Sequence, residues 1–346
     1  MKEKRYSLFL FLWILPLIWL ASCSEREYSF EIVELNTHSE SSLRAICAVD
    51  ENTVWASGSQ GEVLLSLDGG ENWKLISVPE CEETEFRSLH AWDAKRALVF
   101  DISPSGRAFM TTDGGESWEQ VYSSPMNGAF FNSLKFGDAD LGIAISDPVD
   151  DQVYILRTTD GGHTWHRLET TPPAEDGEIN FAASNTCIEY LHTGEIFIVT
   201  GGSKARVLTS NDHGRNWDFI ETPAMSGESA GLFSVSFISS KKGVAVGGDF
   251  SNPDLEGNRA IYTEDGGKHW LPSESMPAAY RSCVVSFKDE LIFATGKTGC
   301  DYSLDAGKNW TFIDSAGYYA ATIVPHRPMI YLSGSQGKIA RVSIHR

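Results

Sequence analysis

The sequence predicts an all-β chain: a seven-bladed β-propeller of four-stranded antiparallel blades, with the N-terminal strand closing the last blade. Three observations lead there. An eight-residue box, Ser/Thr-x-Asp-x-Gly-x-x-Trp, occurs six times. Its aspartates, Asp68, Asp113, Asp160, Asp212, Asp265 and Asp305, lie 45, 47, 52, 53 and 40 residues apart, and roughly 40–50 residues is the size of one four-stranded blade. The C-terminal stretch "YLSGSQGKIARVSI" (331–344) echoes "WASGSQGEVLLSLD" (55–68) but stops before a fourth strand.

The chain opens with "MKEKRYSLFLFLWILPLIWLASC": basic Lys2, Lys4 and Arg5, an apolar run over 7–20, then small Ala21 and Ser22 before Cys23. That pattern is an export signal rather than a fold element. Leu20-Ala-Ser-Cys23 resembles the bacterial lipoprotein processing site, which implies cleavage before Cys23 and acylation of Cys23; the alternative is an ordinary secretory signal with an incidental cysteine. Several acyl chains anchor stably at ~0.8 kcal/mol per buried CH₂. The expected organisation is a signal peptide (1–22), a lipidated cysteine and short tether (23–28), and a single propeller (29–346) in the cell envelope, facing the periplasm or the cell surface.

"FEIV" (30–33) follows, matching the aromatic-x-x-aliphatic of "WKLI", "WEQV" and "WHRL". It supplies the strand that the C-terminal unit lacks, with Phe30 in place of a box tryptophan, and the closure removes two open sheet edges. Within each later unit, short alternating β-rich runs punctuated by Gly and Asp read as antiparallel strands. Examples are "LRAICAV" (43–49), "TVWASGS" (53–59) and "GEVLLSLD" (61–68). The box then turns the third strand into the fourth. Gly adopts positive φ without steric cost, the Asp side chain accepts bonds from its own turn, and the Trp buries a large apolar area between neighbouring sheets. These roles are local and identical in every copy, so the six aspartates read as structural. A calcium ion needs 6–8 oxygens, and a box offers one carboxylate; no metal or cofactor is expected.

The formal net charge is −19, and loss of Lys2, Lys4, Arg5 and Glu3 with the signal makes it −21. So acidic a chain disfavours nucleic acid and anionic membrane as partners, which leaves the lipid anchor as the expected membrane link; a monomer is expected. Cys47, Cys81, Cys187, Cys283 and Cys300 fit neither a zinc site nor Cys-x-x-Cys, and their odd number leaves at least one thiol free of any disulfide.

Function is then expected at the face opposite the boxes, where inner strands begin and second strands end. The starts carry Arg44, Arg87, Asn132, Ser234, Tyr280, Arg281 and Tyr319; the ends carry Ser59, Asp101, Asp147, Asp249, Lys297 and Ser335. Unlike the boxes, these residues differ from blade to blade. The candidate ligand-binding set is Arg44, Arg87, Asp101, Asp147, Asp249, Tyr280 and Arg281. Three outcomes stay open: the charges pair among themselves, they hold a peptide or small polar ligand, or they catalyse. The long loops 146–152, 171–181 and 247–259 would decorate one side of this mouth.

The boxes resemble Asp-box, or BNR, repeats. "DLGIAISDPVDDQVYILRTTDGGHTW", "GEINFAASNTCI", "AGLFSVSF", "GVAVGGDFSNP" and "YRSCVVSF" resemble, in order, a bacterial family of exported Asp-box propellers related to photosystem II stability/assembly factors. That resemblance, over residues 40–346, implies a seven-bladed propeller with a non-enzymatic protein-binding or assembly role. Some members carry the label oxidoreductase, yet the chain has no Gly-x-Gly-x-x-Gly after a strand and no haem Cys-x-x-Cys-His. Sialidases also carry Asp-boxes, but their Arg-Ile-Pro motif is absent and their ring has six blades. Arg44, Arg87, Arg281 and Tyr280 keep a sialidase-like reading open, and a different glycosidase would need two carboxylates ~5–9.5 Å apart, drawn from Asp101, Asp147 and Asp249. The expected function is a non-catalytic binding or assembly scaffold, with a glycoside hydrolase as the alternative.

Overall fold

The computed structural model describes residues 28–287 and 291–346. The signal peptide, Cys23 and all of the tether before Tyr28 lie outside the described residues. Seven antiparallel sheets form the ring. Blade one comprises Leu43–Ala48, Val54–Gly58, Glu62–Ser66 and Lys74–Ser77, from the channel outward. Blade seven runs Ala320–Ile323, Met329–Ser333, Ile339–His345, and then Ser29–Leu35 as its outermost strand. Ser29 pairs with His345 and Leu35 with Ile339, so the N-terminal strand closes the last blade as the C-terminal echo predicts. Phe30 packs on Phe293 and Tyr302 of blade six, at centroid distances of 5.9 and 5.0 Å.

All six boxes share one bonding scheme. In blade two, Thr111 Oγ1 donates to Asp113 Oδ1 (2.9 Å), and the other side of the carboxylate accepts from Ser117 Oγ (2.6 Å). Gly115 N–H donates back to Thr111 Oγ1 at 2.9 Å. The side chain just before the tryptophan thus closes the turn: Asn72, Ser117, Thr164, Asn216, His269 and Asn309 all contact the box carboxylate. The motif as read from the sequence left that position undefined, although every occupant can donate. The Ser117 hydroxyl and backbone N–H hold the Asp113 carboxyl down at about 2, and Asn216 does the same for Asp212. Trp165, Trp270 and Trp310 are buried between blades. The core therefore consists of apolar seams between neighbouring sheets, such as Trp55, Ile76, Leu89 and Phe109 between blades one and two. Five described cysteines are free thiols; burial pushes Cys187 and Cys300 up to about 12.

Blade five departs from four strands. Two short strands, Glu178–Ile179 and Gly201–Gly202, add to the edge of its long inner strand Gly227–Phe237. The first of them comes from the long loop ahead of blade four. An ion pair between fully buried Arg206 and buried Glu178 clamps it, and Thr200 Oγ1 donates to the same carboxylate at 2.7 Å. This clamp lays residues 178–184 as a strap beside the channel mouth.

Candidate functional site

Inner strands carry the mouth residues, and a recurring irregularity aims them. In blades one, two, three and five the pairing of inner and second strands slips between Leu43 and Ala45, Phe86 and Ser88, Phe131 and Ser133, and Leu232 and Ser234. The extra residues are Arg44, Arg87, Asn132 and Phe233. A bulge bends the strand and re-aims a side chain. In blade five the bulge presents Phe233, whereas the sequence singled out Ser234; fully buried Ser234 instead bonds to Thr186 Oγ1 at 2.7 Å.

Arg44 and Arg87 share one carboxylate. Glu85 lies 2.9 Å from Arg87 Nη2 and 3.7 Å from Arg44 Nε. The Arg44 guanidinium also stacks on the Tyr319 ring at 3.9 Å, and Arg87 Nη1 donates to the Ala182 carbonyl of the strap at 3.2 Å. Both arginine side chains keep 24% of their surface exposed, yet the Nε atom of each is buried without a hydrogen-bond partner. Burial, and then repulsion from Arg87, lower the Arg44 pKa below the ordinary guanidinium value. Two cations meet one directly paired carboxylate here, with Asp147 next in the field of Arg87.

Asp147 lies in the field of Arg87. It accepts from Asn132 Nδ2 (2.9 Å) and from the Asn180 N–H of the strap (3.0 Å). Burial pushes its carboxyl above the usual range, while Asn132, Asn180 and Arg87 pull it back. Tyr280 is buried in an aromatic group: Phe181 of the strap stacks on Phe233 at 3.9 Å, Tyr280 meets Phe233 edge-on at 4.8 Å, and Phe250, 42% exposed, caps both.

The other three sequence candidates are engaged within the wall. Arg281 has no exposed surface; it pairs with Asp301 and donates through Nη1 to the Tyr280 carbonyl (2.9 Å) and Thr298 Oγ1 (3.0 Å). Asp101 is equally buried, held at 2.8 Å by both the backbone N–H and the Nε of Arg107, so it ties its own hairpin. Asp249 accepts from Ser229 Oγ (2.7 Å) and from the N–H groups of Ser251 and Asn252, which shapes its loop. Arg44, Arg87, Asp147 and Tyr280 are therefore gathered around the strap, whereas Arg281, Asp101 and Asp249 are consumed by local structure. Sequence reasoning missed Glu85, Asn180, Phe181 and Phe233. The length of the loop containing "GEINF" was the signal for the strap.

The chain matches no protein-family model and no curated protein. Among solved structures it is similar to YCF48 bound to a D1 peptide, at 16% identity and TM-score 0.65 over 91% of this chain and 96% of that one. It is also similar to YCF48 from Cyanidioschyzon merolae, at 18% identity and TM-score 0.64 over 90% and 98% of the two chains. A third is the GH74 xyloglucanase from Xanthomonas campestris, at 11% identity and TM-score 0.63, where 90% of this chain spans 53% of the enzyme. At these identities the likeness shows the propeller fold.

Proposed function

We propose that the protein is a lipid-anchored propeller of the bacterial cell envelope that binds a protein segment at its strap-flanked mouth, without catalysis. The observation that carries this reading is the Arg44–Glu85–Arg87 corner: two partly exposed arginines share one carboxylate. The exposed part of two guanidinium groups favours an anionic group, and charge-assisted bonds to arginine are the strong ones. Phe250, 42% exposed over the buried strap residue Phe181, offers apolar surface. An extended segment bearing a carboxylate beside an apolar side chain fits both. A propeller of similar fold with a peptide bound is consistent with that use of the scaffold.

Fluorescence anisotropy with acidic, neutral and basic peptides tests it. Acidic peptides should bind best, and Arg44→Ala/Arg87→Ala should weaken them about 10–100-fold, the loss of one to two charged bonds. Equal affinity in the double variant would overturn the assignment. One observation favours a second reading, a glycoside hydrolase: the raised Asp147 carboxyl suits a general acid. Turnover on a glycan panel, abolished by Asp147→Asn, would establish that reading instead.

A further inference from the structure

Blade seven has no box, and this leaves a mark on the surface. In the blades that carry a box, the glycine two residues after the aspartate presses against the preceding blade. A Cβ on Gly267 would lie 2.6 Å from Phe197, and one on Gly307 would lie 2.7 Å from Val244. At the seam between blades six and seven Ile344 stands where a box aspartate would be, and the third strand ends at His345. Among the described residues no box turn covers the box-side end of that seam, and a groove of about 910 Å³ lies there. Tyr28, Phe287, Ile323 and Pro325 form its apolar wall, and Arg327 and Arg346 stand at its edge.

Tyr28, the first described residue, lines this same groove. Ser29 pairs with His345, at the box-side end of blade seven, and the Arg346 guanidinium lies over the Tyr28 ring at 5.9 Å. The step from Cys23 to Tyr28 spans at most about 16–18 Å when fully extended. A lipid on Cys23 therefore holds the box-side end of blade seven, with this groove, within that reach of the bilayer. Tethering raises the local concentration of the surface so far that weak contacts suffice.

The geometry points to this groove as a membrane-contacting surface, its occupant the bilayer that holds the anchor. Tyrosine and phenylalanine suit the headgroup boundary, and arginine can bury its stem there while its head reaches phosphate. His326, Arg327, His345 and Arg346 gather at this edge of an otherwise acidic chain, faced by Glu51, which pairs with Arg327 at 2.7 Å, and Glu31, 3.7 Å from His345. The proposal rests on acylation of Cys23 and goes beyond the binding role of the mouth.

The test uses the full processed protein in phosphatidylethanolamine/phosphatidylglycerol vesicles that contain nitroxide-headgroup lipid. A nitrobenzoxadiazole label is placed at Pro325→Cys or Ser335→Cys, exposed positions on opposite faces of blade seven, with the wild type as labelling control. Quenching several-fold stronger at 325 than at 335 is expected. Equal or reversed quenching would overturn the orientation. Shielding of the 325 label that rises with protein concentration in vesicles lacking nitroxide would assign the groove to a second copy, against the proposal. Mass spectrometry of the wild type, with Cys23→Ser as control, checks the premise; an unacylated, freely soluble protein removes it and the proposal together. None of these outcomes bears on peptide binding by Arg44 and Arg87, which is assayed separately.

Discussion

Removal of Asp301 should unfold the protein far more readily than it disturbs the mouth. Arg281 has no exposed surface and Asp301 is 1% exposed. Without Asp301 the guanidinium keeps only two neutral acceptors, the Tyr280 carbonyl and Thr298 Oγ1, and its Nη2 already lacks a partner. The Ala278 N–H, which donates to Asp301 at 3.0 Å, would be orphaned as well. Breaking a buried ion pair from one side costs about 3–5 kcal/mol. For a domain of this size that corresponds to a fall in Tm of roughly 6–15 °C. Urea unfolding followed by tryptophan fluorescence measures the loss for Asp301→Ala. The apolar pair Arg281→Met/Asp301→Leu should recover much of it, because no charge is then left buried alone. Peptide affinity of the folded double variant should match the wild type. If Arg281→Met left the unfolding midpoint unchanged and abolished binding, Arg281 would belong to the ligand and the assignment to the wall would be wrong.

Other outcomes follow from the same structure. Asp305→Ala removes acceptors for Ser303, the Asn309 N–H and the Asn309 side chain, and should cost about 1–2 kcal/mol, as loss of a comparable capping carboxylate does; an unchanged urea midpoint would contradict the structural role of the box. Asp113, Asp160, Asp212 and Asp265 sit at about 2 in the folded protein; at Asp160 and Asp265 burial pushes upward and the turn's hydrogen bonds outweigh it. The unfolded value is about 3.9, so their contribution is complete above that pH and is lost as pH falls through about 2. Burial lowers His90 to about 3, so the wild-type urea midpoint should already decline from about pH 6.5 downward. The difference in midpoint between wild type and Asp113→Asn isolates the box and should shrink only below about pH 4; a difference that shrinks from near neutrality would contradict the assignment. Gly307→Ala places a methyl 2.7 Å from Val244 Cγ2 at a φ of 86° and should cost about 1–3 kcal/mol, part of which Val244→Ala should restore; full stability of the single variant would refute the close approach.

Much of the ring is legible in the sequence because a box is a local device. Eight residues carry the turn, its glycine and its interblade tryptophan, and six copies at blade spacing, with the box-less C-terminal echo, give the count of seven. The N-terminal closure was readable from the match of "FEIV" to the strands that follow each box. The mouth is only half legible. Arg44 and Arg87 could be placed because they begin inner strands, but the bulge that aims them is a pairing irregularity with no sequence mark of its own. The same bulge selects Phe233 over its neighbour Ser234. Arg281 read as a surface charge because its partner, Asp301, lies in the third strand of the same blade, twenty residues later. Asp101 read as a free carboxylate although Arg107, across a hairpin, neutralises it. Phe181 reaches the mouth through the Arg206–Glu178 clamp and the bonds of Asn180 to Asp147 and Ser146, contacts between segments 28 to 34 residues apart.

Cross-linking in native membranes, with identification of the attached proteins, compares wild type, Arg44→Ala/Arg87→Ala and Asp305→Ala. It tests most directly whether recognition resides at the arginine mouth while the boxes only build the ring. Partners retained in the folded Asp305→Ala protein and lost from the double arginine variant are the predicted result. Partners lost from Asp305→Ala but kept by a well-folded double arginine variant would contradict the account.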